Sequence, residues 1–228
     1  MELVVSGESS SAQCNIDNTR FFNEQTGELN LCTLHDEEVD SSLASFESIG
    51  PKVKSITLHR TCLAPRPLIA VLSTILLERR YRNLRSLNIS YCDLPEIALN
   101  YLCEYVNPFS GGFNVTYLNV SRCNLGIHGT IKLLTALFAN ITIEELILTG
   151  NHCGDKAIPA LLIMLTKYEN NIHTLGIGAN KFTSEGMSNI YKSRYSVEHV
   201  IISLNRHEAA LQRVGVTEAA PGAALPRR

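Results

Sequence analysis

The sequence has no surplus of charge, no paired-cysteine motif and no apolar run long enough for a membrane. Lys and Arg number 20 against 22 Asp and Glu, a net charge of −2. That balance offers no basic field for nucleic acid or an anionic membrane surface. The longest apolar stretch, Leu68 to Leu77, is interrupted by Ser73 and Thr74. It falls short of the ~20 residues that cross a bilayer. Met1 to Arg20 has no basic start and no apolar run of signal-peptide length, so a cytoplasmic location is expected. The seven cysteines form no C-x-x-C pair. There is no G-x-S-x-G, no G-x-x-x-x-G-K-[ST] and no H-E-x-x-H. Without a reactive constellation or a metal-ligand cluster, no catalytic residue, metal or cofactor is expected.

What is present is a core and a period. Hydrophobic residues make up 45% and charged residues 18%, enough to bury a real interior. Leu84 to Leu94 reads apolar-x-x-apolar-x-apolar-x-x-Cys-x-apolar. The phrase returns as Val115 to Leu125, Ile143 to Cys153 and Ile172 to Phe182, with Asn or Cys at the ninth place and Cys153 or Phe182 at the last. A weaker copy is Val53, Ile56, Leu58, Thr61 and Leu63, and a final one is Val197, Val200, Ile202 and Asn205. The starts are 53, 84, 115, 143, 172 and 197, at intervals of 31, 31, 28, 29 and 25. Repetition at this scale outranks other sequence signals.

After each short strand the pattern switches from period two to period 3.6. Helices are expected from Pro65 to about Tyr81, Pro95 to Val106, Ile127 to Ala139, Asp155 to Tyr168 and Ser184 to Ser193. Asn107 to Phe113 is a loop longer than the repeat requires. The ninth place, held by Cys92, Cys123, Asn151, Asn180 and Asn205, should bond the neighbouring turn as a ladder; Thr61 holds it in the first repeat, with a hydroxyl that could do the same. Cys32, Cys62, Cys92, Cys123 and Cys153 follow the period and should pack as small buried hydrophobes. Residues 1–25 read as an irregular segment, with Arg20, Phe21 and Phe22 docking on the array's end. Residues 26–52 read as a capping repeat, residues 53–207 as six repeats, and 208–228 as a short helix and a disordered Ala/Pro-rich tail.

This pattern resembles the ribonuclease-inhibitor-like leucine-rich repeats, seen in ribonuclease inhibitor, the Ran GTPase-activating protein and the C-terminal domain of tropomodulin. The resemblance rests on Cys123-x-Leu125-Gly126-x-x-Gly129, Asn151-x-Cys153-Gly154-x-x-Ala157 and Asn180-x-Phe182-x-x-x-Gly186. It implies an α/β solenoid, a curved horseshoe with parallel strands on the concave face and helices on the convex face. It also implies binding of protein partners. No family-specific functional motif is visible.

The strand positions that face away from the helices, together with the eighth position at the strand's C-terminal rim, yield two candidate patches. His59, Arg60, Asn88, Tyr91, Tyr117, Asn119 and Arg122 supply the aromatic and Arg anchors that interfaces favour. Ile147, Ile201 and Leu204, near Gly176 and Gly178, form a smoother apolar surface. Val200 to Ile202 would make the last edge of the sheet, open to contact with another chain. The expected function is a non-catalytic protein-interaction module, an adaptor or subunit of an intracellular assembly. The alternatives are a regulator of an enzyme, such as a GTPase-activating protein or inhibitor, and a cytoskeletal or axonemal component. No nucleic acid or membrane is expected as a partner.

Overall fold

A computed structural model describes residues 20–77, 81–107, 109, 115–138, 140–167, 172–193 and 199–201. The protein is α/β, with eight short strands in one sheet, paired in chain order. They are β1 (Phe22–Asn23), β2 (Glu28–Asn30), β3 (Ser55–Thr57), β4 (Ser86–Asn88), β5 (Tyr117–Asn119), β6 (Glu145–Ile147), β7 (Thr174–Gly176) and β8 (His199–Ile201). From β2 to β8 every neighbouring pair is parallel. The register never slips, so Ile56, Leu87, Leu118, Leu146 and Leu175 lie side by side.

Parallel neighbours need a crossover, and helices supply it. The helices are α1 (Asp36–Ile49), α2 (Pro65–Leu77), α3 (Glu96–Val106), α4 (Gly126–Ala136), α5 (Ile158–Lys167) and α6 (Ser184–Ser193). Their apolar stripes explain their packing. In α2, Leu68, Val71, Leu72, Ile75 and Leu76 are buried, which is helical spacing. The middle residue of each strand from β2 to β7 is fully buried, as are Leu58, Ile89 and Val120 just beyond β3, β4 and β5. A strand alternates its side chains, so the first and third residues of β2 to β7 point away from the helices. That open face carries the polar positions.

Prolines punctuate the helix starts. Pro65 opens α2 and Pro95 stands just before α3 with extended backbone. Proline lacks an N–H that the first helical turn would leave unused. Helix α4 ends at Ala136, before the limit at Ala139 that periodicity suggested, and α2 is described as far as Leu77, with residues 78–80 outside the described residues. Asp155 to Ala157 form a separate 3₁₀ turn ahead of α5.

The N-terminal segment differs from its sequence reading. Residues 1–25 looked irregular, yet Phe22–Asn23 pair antiparallel with Glu28–Leu29. A left-handed Gly27, φ 73°, turns the chain between them. The two-residue β1 was too short to show an alternation. Phe21 and Phe22 are buried, and Phe21 meets the Phe46 ring edge-on at 6.2 Å. Arg20 pairs with Glu38 at 2.5 Å. So β1 covers the free edge of β2. At the other end, Val200 and Ile201 lie in β8; Ile202, Leu204, Asn205, the short helix and tail expected over 208–228, and most of the Asn107 to Phe113 loop fall outside the described residues.

Candidate functional site

The site begins with a backbone conformation. Where each strand ends, the eighth residue of the phrase adopts a left-handed conformation: Arg60 at φ 55°, Tyr91 at 60°, Arg122 at 53°, Gly150 at 77° and Ala179 at 53°. This turns the chain sharply from the strand into the ladder residue. The turn is fixed by the residues before it. Asn88 Oδ1 accepts the Ser90 N–H at 3.1 Å and the Ser90 hydroxyl at 2.6 Å. Asn119 Oδ1 accepts the Ser121 N–H at 3.0 Å and its hydroxyl at 2.7 Å. Such Asx turns are a local alternative to the sheet ladder. They also explain why Asn-x-Ser recurs in this chain.

The left-handed residues stand in a row along one rim of the sheet. Tyr91 is flanked by the repeats before and after it. The Arg60 guanidinium lies 4.7 Å from the centre of its ring and that of Arg122 5.2 Å away. His59 meets the same ring edge-on at 5.1 Å. Tyr91 remains exposed. Cation–π contacts at such exposed positions contribute about 0.5–1 kcal/mol each. Gly150 makes room for this arrangement, because a Cβ there would stand 2.7 Å from Arg122 Cγ.

His59 Nδ1 lies 2.7 Å from Ser90 Oγ, a pairing that resembles a nucleophile and its base. The hydrogen bonds argue otherwise. Asn88 Oδ1 already accepts a backbone N–H, which identifies it as oxygen, and it also takes the one hydroxyl proton of Ser90. His59 Nδ1 must therefore donate to Ser90 Oγ. A buried serine whose proton is committed to an amide is not an activated nucleophile.

The first patch named from sequence is thus resolved into parts. Arg60, Tyr91, Arg122 and His59 form one cluster. Asn88 and Asn119 hold the turns beneath it, and Asn119 Nδ2 also donates to the Tyr117 hydroxyl at 3.0 Å. In the second patch, Ile147 is half-buried. It lies over Gly176, where a Cβ would come within 2.9 Å of Ile147 Cγ2. Ile201 is opposite Gly176 in β8, and Leu204 is outside the described residues.

An open depression of ≈ 360 Å³ adjoins the stack, lined by Tyr91, Arg122, Asn124, Gly150, His152 and Ala179. Sequence reading missed Asn124 and His152. Both follow a ladder residue, at a place the phrase leaves unspecified, and both are left-handed at φ 56° and 59°. The small residues at 150 and 179 were the available signal.

Beneath the rim runs the ladder. Cys92 Sγ donates to Leu58 O at 3.0 Å, and Cys123 Sγ to Ile89 O at 3.1 Å. Asn151 Nδ2 donates to Val120 O and Leu148 O, both at 2.9 Å, while its Oδ1 accepts from the N–H groups of Cys123 and Leu125. Asn180 Nδ2 donates to Leu148 O and Ile177 O, both at 3.0 Å. Thr61 departs from the expectation. Its hydroxyl is buried and has no partner, because it reaches less far than a thiol or an amide. The cysteine expectation needs correction at two places as well: Cys62 is exposed and Cys32 only partly buried. Burial pushes the thiols of Cys92 and Cys153 up to about 11 and that of Cys123 up to about 12.

Among the described residues no group of three metal-ligating side chains gathers, and no helix is long and apolar enough to cross a membrane. No protein-family model matches the chain. The chain is similar to NACHT, LRR and PYD domains-containing protein 13 of Homo sapiens, 29% identical over 144 residues. That match covers 63% of this chain and 13% of the human protein. The LRR of that relative's name fits the repeating strand–helix units of this chain.

Proposed function

We propose that this chain is a leucine-rich-repeat solenoid that acts as a non-catalytic protein-binding module in the cytoplasm, an adaptor or a subunit of a larger assembly. The partner would lie along the C-terminal rim of the strands and the adjoining open face. The observation that carries this reading is the Arg60–Tyr91–Arg122 stack. Three long side chains occupy left-handed positions where glycine or asparagine would be least strained. That conformation costs an L-residue on the order of 1 kcal/mol, a cost that folding alone does not require. Tyr and Arg are also the residue types in which binding energy concentrates.

The test is affinity capture from native cells with the wild-type chain and an Arg60→Ala, Tyr91→Ala, Arg122→Ala variant. All three side chains project from the rim, so the variant should retain its circular dichroism spectrum and melting midpoint. The expected outcome is loss of a specific co-purifying protein. Equal recovery by the two chains would remove the rim as the binding surface.

A further inference from the structure

We infer that the rim accepts an extended, acidic peptide segment of the partner, whose carboxylates engage Arg60 and Arg122. This rests on the protein-binding reading above and adds the chemistry of the ligand.

The charge on the rim is unanswered. The ion pairs among the described residues are Arg20–Glu38 and Lys52–Glu24, both remote in sequence from the stack. Neither the Arg60 nor the Arg122 guanidinium has a hydrogen bond or ion pair among those residues. Each is a planar fork of five donors whose geometry matches a carboxylate. Asp93, on the loop beside the depression, accepts from Asn124 Nδ2 at 3.1 Å. The two forks are also pre-positioned. Both rest on Tyr91, and the backbone N–H of each is held by the next repeat, Arg60 by Ser90 O at 3.0 Å and Arg122 by Thr149 O at 2.8 Å. Ordering long side chains before binding reduces the entropy lost on binding.

Spacing favours a peptide. Arg60 and Arg122 are two repeats apart, and strands in a sheet are ~4.8 Å apart, so their backbones are separated by on the order of 10 Å. An extended chain advances about 3.3 Å per residue and alternates its side chains, so acidic residues two positions apart, about 7 Å along one face, match the two forks that rest on the Tyr91 ring. The segment would cross the strands along the rim. The backbone between the two acids would pass over Tyr91, and the segment's end would reach the depression lined by Gly150 and Ala179. A nucleic acid is the weaker match, because the whole chain carries a net charge of −2 and gives no wider basic field.

The experiment uses the full chain immobilised against a display library of random ten-residue peptides. Binding of the enriched peptides is then measured by fluorescence polarisation. Enriched peptides should carry two Asp or Glu two positions apart. Replacing both acids by Gln, or introducing Arg122→Ala, should weaken binding about tenfold or more, as for loss of a charge-assisted bidentate pair. The Arg60→Lys, Arg122→Lys variant keeps the charge without the fork, and it should bind between wild type and the Ala variants. It also serves as the fold-preserving control. Enrichment of peptides without acids, equal binding by the Gln peptides, or no enrichment at all would overturn the acidic-segment inference. The wider interaction reading is judged separately, by whether the triple Ala variant still captures its cellular protein.

Discussion

At Thr61 the ladder has a missing rung. Asn151 satisfies four backbone groups with one side chain and is fully buried. Cys92 and Cys123 each donate one bond across to the preceding repeat. Thr61 leaves a buried hydroxyl oxygen without a partner. Such an oxygen costs about 1–3 kcal/mol. Thr61→Val keeps the shape and removes the polar atom, so it should stabilise the protein by about 1 kcal/mol. Urea midpoints at constant m-value check this. Asn151→Ala should act the other way. It strands the Val120 carbonyl and the N–H groups of Cys123 and Leu125, while the Leu148 carbonyl keeps Asn180 Nδ2, and should cost about 3 kcal/mol by the same measurement. Asn151→Cys, which restores one donor, should fall between Asn151→Ala and wild type.

From β2 to β8 the strands are three residues long, and no single strand is stable alone. Each is defined by its neighbours, and β2, β4 and β5 also by the Asx turns of Asn30, Asn88 and Asn119 that end them. Helix placement depends on equally local contacts. Helix α6 carries Gly186, where a Cβ would overlap the carboxylate of Asp155 and the side chain of Ile158. Asp155 Oδ1 in turn accepts the Thr183 N–H at 2.8 Å, just before α6. Gly186→Ala would push α6 from α5 and strain that link. Although alanine is the better helix former, the overlap should dominate, costing about 1–3 kcal/mol. Hydrogen exchange should locate the loss: amides of α6 should lose protection, while those of α2 and α3 keep theirs. Uniform loss along the whole chain would show that the array unfolds as one unit. The glycine or alanine at this place of the phrase was visible in the sequence. The aspartate of the preceding unit that it accommodates was not, because nothing in the spacing links residues 155 and 186.

The whole molecule has an interior lined with thiols. Cys92, Cys103 and Cys153 are held at about 11 and Cys123 at about 12, against 9.0 for an exposed thiol, in each case chiefly by burial. Folding therefore favours the protonated form. That stabilisation is complete below pH 9, declines as the unfolded thiols ionise above it, and is gone once the pH passes 11 to 12. Each such thiol should remove about 1.4 kcal/mol of stability per pH unit within that window. Urea denaturation from neutral pH upward should show stability that is nearly level to about pH 9 and then falls. Cys123→Ala should reduce the slope of the fall. Identical slopes for variant and wild type would contradict a buried, protonated Cys123.

Much of this architecture was readable from period alone. A phrase of fixed apolar spacing can bury its face only if strand and helix alternate, so the sequence determined the element order, the parallel pairing and the ladder positions. It also determined which residues lie at the end of each strand, since side-chain alternation has a period of two. Tertiary structure alone decided three things. It decided that the eighth positions turn left-handed and that Arg60 and Arg122 stack on Tyr91 at the rim. It decided that Asn88 and Asn119 hold turns instead of offering free amides. It decided that a two-residue strand at Phe22 covers the first edge. Each depends on distances between residues in different repeats or across a turn. Periodicity orders residues along the chain, but the distances that make a stack, a turn or a covered edge exist only once the repeats are packed together.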